Sequence, residues 1–306
     1  MWVGSSLRAV PTWPLLLPGL LLTSGVGTAQ QLEPRAYSPS PSGMNFLGIV
    51  AAYTGGDVLT DPALPIENVN AHIFTVAPFY ALTFGLFGRL ANISLVVPFA
   101  HLTASGDVQE MAATVDRSGL LDPHARLAVN LIGGPALTPE EFRKRPPETT
   151  LGVSLTASAP LGQYDASKLL NLGTNRWAFR PDLGFSQPVG PWIFELSTGA
   201  WFFTTNNDFL GHTRKQGALA SMQVHIVYIF RPGFWAAGDF VYYEGGKTTV
   251  DNETKDDRQA NVRVGLTAAA ALTSSQSLKL GWSQGATTRI GSNFTTFALA
   301  WTILWD

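Results

Sequence analysis

The sequence predicts an all-β fold, an antiparallel transmembrane β-barrel of about 12 strands, and three observations predict it. Charged residues make up 14 % of the chain, against roughly 25 % in soluble globular proteins, so the outer surface meets something other than water. From Met44 onward, segments alternate apolar and polar residues with the two-residue period of a strand. The connections alternate short and long, as they do when one barrel end faces the periplasm and the other the exterior.

Taken in chain order, Arg8, the apolar run Leu15 to Leu22 and the small residues around Ala29 form a secretory signal peptide pattern over residues 1–29. A membrane anchor is the competing reading, but the run is too short and Pro18 with Gly19 interrupts it. Residues 30–43, rich in Pro and Ser and without periodicity, read as a flexible N-terminal segment. The outer-membrane barrel then occupies residues 44–306.

Its strand-like segments are MNFLGIVAAYTG, AHIFTVAPFYAL, LANISLVVPFAHL, PHARLAVNLI, TTLGVSLTASAPLG, RWAFRPDLGFS, WIFELSTGAWFFTT, ALASMQVHIVYIF, WAAGDFVYYEGG, QANVRVGLTAAAAL, SLKLGWSQGATTRI and NFTTFALAWTILW. Many reach the roughly 9–11 residues that a tilted strand needs to cross a bilayer. No stretch offers a spanning helix; the nearest, Ile73 to Gly88, carries Pro78 near its centre. The turns QPVGP, RPGF and TSSQS are short, whereas residues 162–175, 205–217 and 244–259 are longer polar loops. One connection, Ile132 to Glu148, is long where a short one is expected. It holds a capping box with proline at the first helical position, Thr138-Pro139-Glu140-Glu141, and is stopped by Pro146-Pro147. A short helix near 138–146 is therefore expected, as a connector or as a plug entering the pore mouth.

The last strand sets the direction of the faces. Phe297, Leu299, Trp301, Ile303 and Trp305 make one apolar row, with Asp306 beyond it. If that row meets lipid, the opposite row of each strand faces the lumen. Carrying the phase through the chain puts His124, Arg126, Asn130, Arg176, Arg180, Asp182, Glu195, Gln223, His225, Asp239, Arg263 and Lys279 on the lumen side. Both signs occur, so the charges can pair across the interior and hold strand register. Trp177, Trp192, Trp235 and Trp301 fall near strand ends, where interfacial aromatic girdles belong.

Motifs for chemistry are sparse. GWSQG (Gly281 to Gly285) matches a nucleophile elbow, but Ser283 lies in an expected strand with no helix after it. The five histidines lack metal-binding spacing, and the acidic stretch Asp251, Glu253, Asp256, Asp257 lacks that of an EF-hand. There is no cysteine and no phosphate-cradling loop, and a net charge of −2 gives nucleic acid no purchase. No catalytic residue, cofactor or metal is expected.

Three stretches, SGLLDPHARLAVNLIG (Ser118 to Gly133), LNLGTNRWAFRPDLGFS (Leu170 to Ser186) and SLKLGWSQGATTRIGSNF (Ser277 to Phe294), resemble a bacterial outer-membrane family. The family is named for the meta-pathway of phenol degradation, and its members are described as transporters. The likeness runs from about Met44 to the C-terminus, with SGLLDP standing where such proteins commonly have SGLGDP. It implies a β-barrel in the bacterial outer membrane and uptake of aromatic or other hydrophobic compounds; no functional residue carries over from it.

The expected function is thus an outer-membrane channel for passive uptake of small molecules, with no enzyme activity. Its expected partners are outer-membrane lipid, a small solute and the barrel-assembly machinery. Competing readings are a structural or loop-binding barrel without an open pore, and a lipid-acting barrel enzyme using His124, His225 or Ser283. A soluble lipocalin-like barrel conflicts with the strand lengths and the charge content.

Overall fold

Residues that alternate in sequence also alternate in exposure in the computed structural model, which describes residues 32–59, 66–108 and 111–306. The signal peptide pattern lies outside the described residues. Along β8 (Ala178–Val189), Phe179, Leu183 and Phe185 are exposed, whereas Ala178, Arg180, Gly184 and Ser186 are buried. The greasy row faces outward and the ionic row inward.

Neighbouring strands repeat the pattern and close on themselves. The wall contains β1 (Asn45–Leu59), β2 (Ile66–Leu86), β3 (Arg89–Val96), β4 (Phe99–Val108), β5 (Met111–Leu120), β6 (His124–Ile132) and β7 (Thr150–Ser158). After β8 come β9 (Trp192–Phe203), β12 (Leu219–Arg231), β13 (Phe234–Gly245), β16 (Gln259–Ala271), β17 (Gln276–Thr287) and β18 (Gly291–Trp305). Strand β1 pairs with β2 on one side and with β18 on the other, from Asn45↔Trp305 to Leu59↔Gly291, and this seals the cylinder.

Fourteen strands make this sheet, but two pairs are continuous staves broken by proline. Strands β3 and β4 both lie along β2 and are parted at Val97-Pro98; β5 and β6 are parted at Leu121 to Pro123. Proline has no N–H for the ladder, so the stave bends where it sits. The breaks meet where Leu121 N donates to Pro98 O at 2.9 Å. Counted as staves, the described residues form a closed 12-stranded antiparallel barrel.

The first and last strands of the wall, β1 and β18, have 15 residues each, or roughly 50 Å of strand at about 3.3 Å per residue. They outreach the hydrocarbon even when tilted. At the end with short turns, Trp192, Tyr228, Phe230 and Phe234 form a run of ring contacts at 4.7, 4.9 and 4.8 Å, an aromatic belt on the outer wall. At the opposite end, β10 (Asn206–Phe209), β11 (His212–Gln216), β14 (Thr248–Val250) and β15 (Glu253–Thr254) pair in that order. Two loops that look polar and unstructured in sequence thereby form one small sheet.

The helix forms as its capping box requires. In α1 (Pro139–Arg143), Thr138 Oγ1 accepts from Glu141 N, and Glu141 Oε2 accepts from Thr138 N. None of its residues is buried, so it is a surface connector and not a plug. The interior has a different occupant. The stretch 32–43, read from sequence as flexible, is packed inside the barrel, with Glu33, Arg35 and Tyr37 at 6, 1 and 6 % exposure. Absence of periodicity signals absence of regular structure, not absence of order, and here the wall supplies the order.

Candidate functional site: the barrel interior

Strand number explains why the interior can hold a chain. At about 4.8 Å between strands and about 40° of tilt, twelve strands give a radius near 12 Å and eight give about 8 Å. Eight-stranded barrels are just filled by their own side chains. The extra ~4 Å of radius leaves room for a further segment of peptide.

That peptide is bound to the wall by side chains. Glu33 N donates to Gln223 Oε1 at 3.1 Å, and Glu33 Oε1 accepts from Arg180 Nη1 at 2.9 Å. Arg35 N donates to Glu195 Oε2 at 2.6 Å, and its guanidinium lies 5.5 Å from the Trp235 ring. The Tyr37 hydroxyl donates to Asp182 Oδ1 at 2.7 Å; its single proton being used there, Ser154 donates to it at 3.0 Å. The Arg126 guanidinium lies over that ring, 4.9 Å from its centroid. Lower down, Ser42 N donates to Leu137 O at 2.8 Å in the α1 connector, and Thr83 Oγ1 donates to Pro41 O at 2.7 Å.

Two glycines make room for the tyrosine. Gly152 on β7 and Gly184 on β8 are register partners, and a Cβ added at either would overlap the Tyr37 ring. The ring therefore lies flat on bare backbone.

The wall charges form a belt. Arg180 Nη2 donates to Asp182 Oδ2 at 2.9 Å, so this arginine joins a carboxylate of the wall to one of the interior segment. Glu195, His225 and Asp239 are register partners on β9, β12 and β13; His225 Nδ1 and Asp239 Oδ1 are 2.7 Å apart, and Thr267 Oγ1 donates to Asp239 Oδ2 at 2.7 Å. Further round, Arg263 Nε donates to Ser283 Oγ at 3.0 Å and its Nη2 to Thr296 Oγ1 at 2.9 Å. That contact occupies the serine of GWSQG inside a strand. His124 and Asn130 are buried on β6, and Lys279 is half-buried on β17. Arg176 stands apart from the belt. It precedes β8, at the loop end, with its guanidinium 4.3 Å from the Phe203 ring.

One assignment needs correction. Trp177, Trp192 and Trp301 are exposed on the outer wall, but Trp235 is 3 % exposed and faces inward beneath Arg35. It shares parity with Asp239 on β13, and that spacing was the available signal. Glu33, Arg35 and Tyr37 were missed because nothing local marks a segment that folds only against distant strands. The acidic loop is also accounted for: Asp251 meets His212 and Thr213, Glu253 meets Lys255, Asp256 meets Arg289 and Asp257 meets Thr248.

At the loop end a cavity of about 340 Å³ opens above the belt, between the 159–177 loop and the hairpin β10–β11. Phe203, Phe209 and Leu219 give it apolar walls, and Arg176, Arg214 and Gln216 polar ones.

A family model described as "Putative MetA-pathway of phenol degradation" matches residues 57–303. The chain belongs to this family. The match begins after the interior segment, so the family pattern is carried by the wall. Among solved structures, the chain is similar to an outer membrane channel from Pseudomonas putida F1, with TM-score 0.78 and 20 % identity, covering 90 % of this chain and 100 % of that one. It is less similar to the translocator domain of the autotransporter NalP from Neisseria meningitidis, with TM-score 0.53 and 8 % identity over 88 % of this chain and 90 % of that one. The beta domain of a Bordetella autotransporter gives TM-score 0.52 and 10 % identity over 86 and 100 %. No curated protein matches the chain. These likenesses establish a fold of the outer-membrane barrel type.

Proposed function

We propose that this protein is an outer-membrane channel for passive uptake of small, largely apolar molecules, aromatic compounds among them. One observation carries the reading: the segment that fills the barrel is not part of the wall. It is attached by side-chain contacts and by a few bonds near the turn end. Such an occupant can shift while every strand pairing stays intact. A barrel serving only as a scaffold has no need of a wide lumen filled by a segment outside the wall. The belt from His124 to Lys279 would then line the path and set its selectivity. Export would be directed by the signal peptide and accompanied by its cleavage, with insertion by the barrel-assembly machinery. The family name and the channel from Pseudomonas putida support the direction of this reading.

Planar-bilayer recording and solute flux into proteoliposomes test it on the refolded protein. Absence of both conductance and flux in every condition sinks the channel. The small sheet β10-β11-β14-β15 favours a second reading, a loop-binding barrel without a pore, because a paired sheet is a better docking platform than loose loops. Flux measured after deleting these hairpins separates the two: a channel keeps or gains flux, whereas a closed barrel shows none.

A further inference from the structure

We propose that the loop-end cavity is a binding site for a planar carboxylate on a compact apolar body, with a single-ring aromatic carboxylate as its best fit. As a statement about substrate this rests on the channel reading; as a statement about a site it does not.

The cavity presents two arginines from different loops, Arg176 ahead of β8 and Arg214 on β11. Neither takes part in an ion pair among the described residues. Arg176 donates through Nη2 to Gln216, and its Nη1 is buried without a hydrogen-bond partner. A guanidinium nitrogen without a protein acceptor at a cavity wall is placed to donate to a bound ligand. Burial and the neighbouring Arg214 cation push Arg176 down to about 10, so it remains charged at neutral pH. The arginines repel each other, and a bound anion between them would relieve that.

Nearby acids do not supply it. Asp122 also lines the cavity, but Oδ1 accepts from Gly162 N at 2.9 Å and Oδ2 from Thr174 N and Oγ1 at 2.8 and 2.6 Å. Its oxygens are taken up in holding the 159–177 loop, and it attracts Arg176 only from a distance, without an ion pair. Asp257 acts on Arg214 from a distance, but it accepts from Thr248 N at 2.7 Å and does not line the cavity.

Geometry selects the shape of the ligand. Each guanidinium lies over a ring, Arg176 at 4.3 Å from Phe203 and Arg214 at 5.0 Å from Phe209. A ring against one face of a guanidinium leaves its in-plane N–H edges able to grip a planar carboxylate in a two-point fork. Phe203, Phe209 and Leu219 offer the apolar surface for the remainder. At about 340 Å³ the cavity stands at the small end of ligand sites, suited to one ring.

Titration calorimetry of the full-length refolded protein with benzoate, benzamide and inorganic phosphate tests the proposal. Benzoate is expected to bind at least tenfold more tightly than benzamide or phosphate. Arg214→Gln, on a hairpin outside the wall, should weaken benzoate at least tenfold and leave benzamide unchanged; Arg176→Gln should do the same. Equal binding of benzoate and benzamide, phosphate binding as tight as benzoate, or benzoate affinity unmoved in both variants would overturn it. The wild-type comparison needs no variant to fold. Potassium chloride conductance of the same preparation reports on the channel separately: selective benzoate binding without conductance keeps the site and removes the channel, and conductance without selective binding does the reverse.

Discussion

Glu33 Oε1 accepts a 2.9 Å hydrogen bond from Nη1 of Arg180, which stands on the inner wall 147 residues further along the chain. The same guanidinium holds Asp182 through Nη2. One cation thus ties the interior segment to the cylinder, with both carboxylates nearly sealed from solvent.

Arg180→Met should destabilise the barrel by about 3–5 kcal/mol, because it leaves two buried carboxylates without their cation. Thermal unfolding in detergent measures this. Adding Glu33→Gln should recover part of the loss, and a double variant no more stable than Arg180→Met would show that Glu33 gains nothing from the pair.

Deletion of residues 32–43 should raise single-channel conductance several-fold with the barrel intact, since no wall strand loses a partner. Planar-bilayer recording checks it. Unchanged conductance would mean that the constriction lies elsewhere.

Gly184→Val should displace Tyr37 from its seat and raise conductance in the same direction as the deletion. Gly238→Ala serves as the control, because a Cβ at Gly238 meets nothing within 4 Å. If both variants conduct like the wild type, the tyrosine does not anchor the segment.

Leu183→Arg tests the orientation of the wall. Leu183 is 44 % exposed on the outer face, and a charge on the lipid side of a barrel costs about 2–4 kcal/mol near the midplane. Refolding into bilayers across a urea series measures this; a neutral effect would deny that the face meets lipid.

The hairpin contacts at the loop end should loosen in acid. Asp251 accepts from Thr213 N at 2.9 Å and meets His212 Nδ1, contacts that hold its carboxyl below the ordinary range. A depressed carboxylate stabilises the fold above its unfolded value, and that contribution disappears as pH falls through the folded one. Hydrogen exchange at β11 and β14 should therefore speed up in the acid range beyond the intrinsic rate change, and Asp251→Asn should flatten that dependence.

Much of this architecture was legible because period-two alternation is a local signal, and twelve copies of it reinforce one another. Phe179 against Arg180 and Leu127 against Arg126 give the wall its two faces without any knowledge of neighbours. The 159–177 loop and the hairpins carry turn residues that mark connections but not their pairing, so β11 meeting β14 could not be read. Least legible was the interior segment. Arg35 and Tyr37 acquire meaning only opposite Glu195 and Asp182, roughly half the chain away, and a Pro- and Ser-rich stretch looks the same whether it waves in solvent or lies in a groove.

The occupied interior also bears on how such a molecule is put together. The inner segment runs directly into β1, and β1 makes one side of the pairing that turns the sheet into a hoop. The groups that hold Glu33, Arg35 and Tyr37 sit on β6, β7, β8, β9, β12 and β13, around the opposite arc. Were the hoop to shut first, the chain end would have to be threaded lengthwise past the ionic ring. Winding the staves around a segment already laid in place would avoid that: the contents would act as a mandrel, and filling and sealing would become one step of assembly.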